Sequence, residues 1–182
     1  PTVAAELSSG RPNACNLCHL DQTLEWTAKH LNSWYGTPEV ELSTDQKTIS
    51  AGVLWALTGD AGQRVLAAIG MGREPARQAS GDDWMVPFLA SLLEDPYDAV
   101  RYCAGRSLRK IAAFKDLAYD HVAPPEERAG VARRVLQTWV AQPRRDSSTH
   151  AATLTDREGK LQEDVFERLR QLRDNTELNL AE

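Results

Sequence analysis

From Leu20 onward the chain is punctuated as helix after helix. Apolar residues recur at three- and four-residue intervals. Each run opens near Ser, Thr, Asp or Pro, most close near Gly or Pro, and no stretch alternates with period two. An all-α fold is expected. The first helix should run from about Leu20 to Tyr35, stopped by Gly36 and Pro38. A second starts at Ser43, where Ser43 and Gln46 can form a capping box, and turns Ile49, Val53, Leu54 and Leu57 inward before Gly59. Asp60 caps a third, through Val65, Leu66 and Ile69 to Gly70-Met71-Gly72. Arg73 to Gly81 is expected as a loop, and so is the polar stretch Pro1 to Asn13.

A fourth helix is expected from Asp83 to about Glu94. Asp95 would cap a fifth, with Pro96 at its first position. Its inner stripe would be Val100, Cys103, Ala104, Ser107, Leu108 and Ile111, with Arg101, Arg106, Arg109 and Lys110 outside; Val100, Leu108 and Ile111 should pack near Phe88 and Leu92. Pro124 and Pro125 open a sixth, carrying Val131, Val135, Leu136 and Trp139. After a polar loop from Gln142 to Thr155, a box of Thr155 and Glu158 should open a seventh with Leu161, Val165, Leu169 and Leu172.

Composition narrows the classes. Of 182 residues, 42% are hydrophobic and 26% charged, enough apolar surface for a core, so wholesale disorder is excluded. Net charge is −5 with the signs interleaved, and a nucleic-acid binder would show a basic face. The longest mostly apolar stretch, Met85 to Leu93, is broken by Pro87 and is about half the roughly 20 residues a membrane helix needs. Pro1 is not an initiator methionine and no signal-peptide pattern follows it, so a mature or excised chain is expected.

One motif carries chemistry. Cys15-Asn-Leu-Cys18-His19 is C-x-x-C-H, the c-type haem attachment signature. Each thiol adds across one haem vinyl group, and two intervening residues let one turn of chain span both positions. The adjacent histidine then lies under the iron as its proximal ligand. With 3 Cys and 4 His in the chain, chance occurrence is roughly one in a thousand. A redox C-x-x-C would sit in a βαβ setting, which is missing. Zinc would need about four ligands, and a second ligand pair is missing; zinc or a structural disulfide remains the alternative. Cys103, mid-helix on an apolar stripe, is expected as a small buried hydrophobe.

With Leu20 set at 0° on a helix, Leu24, Thr27, Leu31 and Trp34 fall within about 40° of it and define a docking face. His19, Trp26 and His30 fall near about 260°, 240° and 280°. This second stripe would face haem or a covering neighbour. His30, eleven positions past His19, would lie about 16 Å along the axis, too far to close on the same iron. Met71, at a Gly-flanked helix end, is a candidate for the distal side, with core packing as its ordinary role. Met85 is the other thioether. His121 and His150 stand in polar loops and are expected to be solvated.

Two resemblances follow from these residues. Asp95-Pro-Tyr-Asp-Ala-Val-Arg-Tyr-Cys-Ala-Gly-Arg-Ser-Leu resembles the second helix of a HEAT repeat, and the likeness extends over roughly residues 44–112. Arg11-Pro-Asn-Ala-Cys-Asn-Leu-Cys-His-Leu-Asp, with Trp26-Thr-Ala, Leu31 and Trp34-Tyr-Gly, resembles the last haem segment of multihaem cytochromes c that carry a HEAT-like extension. Met71-Gly and Asp95-Pro-Tyr continue that likeness. In such proteins further C-x-x-C-H segments lie upstream and haems are often bis-histidine; this chain has one such motif and so resembles the C-terminal piece of that architecture or a reduced single-haem relative.

The expected architecture is all-α: a c-type haem attachment segment over residues 1–43 and a short HEAT-like helical stack over 44–182. The cofactor-binding residues would be Cys15, Cys18, His19, Trp26 and Met71, with His19 on the iron of haem c. The expected function is one-electron transfer as part of a larger multihaem cytochrome. An enzyme reading lacks support, since no P-loop, GxGxxG, H-E-x-x-H or Ser-His-Asp order is present. It stays open for the parent protein, since a five-coordinate haem could bind a small ligand as in a reductase. The partner would be a redox protein or an upstream multihaem domain, in a periplasmic or extracellular setting. The alternative is a HEAT-like assembly module of a larger oxidoreductase, without haem chemistry of its own.

Overall fold

Helix starts in the first half of the chain are set by small polar caps. Thr2, Thr23, Ser43, Ser50 and Asp60 each accept a hydrogen bond from the backbone N–H three residues on, and Ser43 and Asp60 complete full boxes with Gln46 and Gln63. The structure is a computed structural model that describes residues 2–142, 151–156 and 159–176. Its helices are α1 Val3–Ser9, α2 Leu24–Tyr35, α3 Thr44–Thr48, α4 Ala51–Leu57, α5 Ala61–Gly72, α6 Glu74–Ser80, α7 Val86–Leu92, α8 Asp98–Leu108, α9 Pro125–Ala141 and α10 Glu163–Gln171. Among the described residues the only extended pairings are two isolated bridges, Thr23 with Ser50 and Thr155 with Leu161.

Several boundaries differ from expectation for definable reasons. The first long helix starts at Leu24, not Leu20. The carbonyls of Leu20 and Gln22 instead accept from Gly52 N and Ala51 N, the free N–H groups at the start of α4. The expected second helix is two, because Ser50 caps a fresh start and Ile49 before it is extended. The stretches expected as loops hold α1 and α6; α6 takes Pro75 in its first turn, where no N–H is needed. The seventh helix starts at Glu163, eight residues past Thr155, which pairs with Leu161. Glu158, His150 and most of the Gln142–Thr155 stretch lie outside the described residues.

Asp95 does not cap α8 directly. Its Oδ1 accepts from Tyr97 N at 3.0 Å, and α8 begins at Asp98. The carboxylate is fully buried against an equally buried Arg64, with Nε to Oδ2 at 2.7 Å and Nη2 to Oδ1 at 3.3 Å. Arg64 Nη1 also donates to Gly59 O and Asp174 O, tying α5 to the chain after α10. Arg101, expected outside, is buried and donates to the carbonyls of Asp95, Pro96 and His121. A long guanidinium can face inward when main-chain oxygens meet it.

The core is one continuous cluster. α8 packs most extensively on α5, α5 on α4, and α7 on α8 and α9. α7 is apolar on nearly all sides and central: Phe88, Leu89, Leu92 and the following Leu93 are fully buried. Val100, Leu108 and Ile111 join Phe88 and Leu92 in it as expected. Consecutive packed α7 and α8 give the helical stack that the repeat likeness called for. Val3, Leu20 and Leu24 belong to the same cluster, so the cysteine-bearing segment is seated on the stack.

Candidate functional site

Cys15, Cys18 and His19 lie on one hydrogen-bonded turn. Cys15 O accepts from Cys18 N at 3.2 Å and from His19 N at 2.9 Å. The latter closes a single helical turn, which carries both cysteines and the histidine. Both thiols are free and partly exposed, as is the imidazole.

The turn is anchored from below. Leu20 is fully buried, and Gly52 lets its backbone approach: a Cβ at position 52 would stand 2.8 Å from Leu20 O and 3.1 Å from Leu20 Cβ. Ser80 at the end of α6 donates to Cys18 O at 2.9 Å. From inside, Asn16 saturates its side-chain amide. Its Oδ1 accepts from Asn13 Nδ2 at 2.8 Å and Thr27 Oγ1 at 2.6 Å; its Nδ2 donates to His19 O at 3.1 Å and Gln22 O at 3.0 Å. Behind it the buried Glu6 carboxylate accepts from Asn13 N, Asn13 Nδ2 and Trp55 Nε1 at 2.9, 2.6 and 2.7 Å. Sequence reasoning passed over Glu6, Asn13 and Asn16. A signal existed: Thr27 is a hydroxyl on the otherwise apolar docking face, and a buried hydroxyl needs a partner.

On the outer side the rings form a ladder. His19 meets Trp26 at 5.1 Å between centroids, Trp26 meets His30 at 4.3 Å, and His30 meets Trp34 at 5.1 Å. Trp34 then meets Tyr35 edge-on at 6.3 Å. His30 Nδ1 lies 2.8 Å from Trp26 O, one turn back along α2. The expected stripe of His19, Trp26 and His30 is thus a contact series, although His19 precedes the helix. Trp26 touches both imidazoles, and this interposed ring replaces axial rise as the feature between them. Trp34, assigned to the docking face, is instead 61% exposed, and Tyr35 is 75% exposed. Trp34 stands four residues past His30, the next step on the same ridge, at the end of α2 that the stack does not cover.

The remaining candidates lie elsewhere. Met71 and Met85 are fully buried core side chains. His121 is half-buried, stacked edge-on against Tyr102 at 5.2 Å. Cys103 is half-buried against the core, and burial pushes its thiol pKa up. Among the described residues no group of three or more His, Cys, Asp or Glu is placed to hold a bare metal ion. A c-type haem asks for something different: two accessible thiols and one imidazole beside them. Cys15, Cys18 and His19 present that donor set. Comparison with protein families, with curated proteins and with solved structures gave no match to this chain.

Proposed function

We propose that the chain is an electron-transfer unit that holds one c-type haem covalently through Cys15 and Cys18, with His19 as proximal ligand. The observation that carries this is the single turn in which two free, accessible thiols and a partly exposed imidazole follow one another with C-x-x-C-H spacing. The haem would supply reversible one-electron chemistry at its iron. The chain's own residues bind and orient. Cys15 and Cys18 would tether the group. Trp26, whose ring lies 5.1 Å from that of His19, would restrict the orientation of the imidazole. Trp34 and Tyr35, at the open end of the ladder, offer an aromatic surface to a redox partner or a multihaem domain of the same larger protein. Thioether attachment belongs with export compartments, so the proposed setting is periplasmic or extracellular.

The test is expression alongside haem-maturation machinery. A c-type Soret and α-band, with colour that resists acid-acetone extraction, is expected. The Cys15→Ala/Cys18→Ala pair should give extractable haem or none. A colourless, stably folded wild-type chain refutes the proposal and leaves the assembly-module role.

A further inference from the structure

We propose that Asn16 is the positioning residue of the attachment turn: its buried amide sets the turn before any haem arrives. The proposal rests on the attachment reading and adds what prepares the site for it. Asn16 is fully buried between two partly exposed cysteines. Its four side-chain bonds go to three different segments: Asn13 ahead of the turn, His19 O and Gln22 O behind it, and Thr27 on α2. Its backbone N donates to Asn13 Oδ1 at 3.0 Å, so the two asparagines clasp each other reciprocally. Glu6 continues the clasp to Trp55 on α4. Every oxygen and N–H of the Asn16 amide is used, so the side chain has one orientation and fixes the chain on both sides of itself.

The consequence falls on the flanking side chains. Placing both sulfurs in advance lowers the ordering entropy that must be lost when two thioether bonds form to one porphyrin. Holding His19 O also fixes the backbone from which the imidazole projects. The turn's width is then a property of the folded apo chain rather than of the porphyrin.

The test uses the full chain, with and without maturation. Asn16→Ala removes the clasp. Thr27→Val removes one bond at nearly constant volume and serves if Asn16→Ala does not fold. Val135→Ala, in α9, controls for lost stability alone. In the apo chain, under conditions where all variants are folded, amide hydrogen exchange at Cys18 and His19 should quicken about tenfold in Asn16→Ala, the size of one to two lost hydrogen bonds, and about threefold in Thr27→Val. Val135→Ala should leave these two amides unchanged. In matured protein, the pyridine haemochrome α-band should show a one-thioether fraction that rises in Asn16→Ala and not in Val135→Ala.

Exchange and thioether number indistinguishable from Val135→Ala overturn the role of Asn16; if Asn16→Ala does not fold, Thr27→Val exchange equal to wild type does so. A wild-type chain that takes up no covalent haem overturns the attachment reading itself, whatever the exchange shows.

Discussion

Removing the carboxylate of Asp95 separates two accounts of what that residue does. As a local turn or cap acceptor for Tyr97 N, its loss would cost about 0.5–2 kcal/mol. As the counter-charge of a fully buried guanidinium, its loss strands Arg64 in the core and should cost about 3–5 kcal/mol. The burial favours the larger figure: neither side chain has solvent to replace the lost partner. Arg173 Nη1, 3.5 Å from Asp95 Oδ2, would then face Arg64 with no anion between them, adding to the cost. In urea, with a slope of about 2 kcal/mol per M, Asp95→Ala should lower the midpoint by about 1.5–2.5 M. Against a typical stability of about 5–15 kcal/mol, the variant should be marginal. Arg64→Met combined with Asp95→Ala should recover part of the loss, because the stranded charge is gone. A single-variant loss near 1 kcal/mol at unchanged slope would refute the buried-pair account.

Leu108→Ala, at a fully buried site on α8, should cost about 2–5 kcal/mol in urea unfolding; a loss under half a kcal/mol would remove α8 from the core. Gly52→Ala should cost about 1–3 kcal/mol and displace the cysteine turn, because its Cβ would meet backbone at Leu20 O; unfolding, and exchange of the residue-52 amide against wild type, report both. Tyr119 donates its hydroxyl to Leu93 O, and burial pushes its pKa up to about 12 from an ordinary value of about 10. The neutral form is favoured in the folded state, so this contribution is intact below about pH 10 and fades as pH rises towards 12. The urea midpoint should fall over that window in wild type and fall less in Tyr119→Phe; parallel pH profiles would refute it.

The helical class and the inward faces of α4, α7, α8 and α9 were legible because they rest on period and capping, both local signals. On α5 the apolar residues Val65, Leu66 and Ile69 are not the inward face, since Ile69 is exposed and Arg64, Ala67, Ala68 and Met71 turn inward. What escaped was decided by long-range hydrogen bonds. Leu20 to Thr23 carries a helical pattern, yet the carbonyls of Leu20 and Gln22 serve the start of α4, about thirty residues on. Asp95 in front of Pro96 reads as a cap, yet Arg64 on α5 claims it. Arg101 reads as an outward charge, yet three carbonyls from two loops receive it. α1 was hidden because its inward face includes a glutamate: Glu6 is buried only because Asn13 and Trp55 meet it.

The site divides the same way. The motif residues declare themselves by type and spacing, and α2 carries the aromatic ridge four residues at a time. The framework that holds them does not, since Asn13 and Asn16 are ordinary turn residues in isolation and acquire meaning only with Thr27 and Glu6 in place. That framework bears on folding. Val3, Leu20 and Leu24 sit in the same core as α7 and α8, and burying each such side chain is worth about 1.5–3 kcal/mol. The loop also satisfies two N–H groups of α4 that would otherwise open to solvent. The cysteine-bearing segment is therefore part of what stabilises the stack, and the stack in turn holds the thiols in place. On this account the whole chain folds without haem, whereas residues 44–182 alone expose the Leu20 seat on Gly52 and should unfold several kcal/mol more easily. Equal stability of the truncated and whole chains would show that the two parts are merely adjacent, and the preformed turn would lose its physical basis.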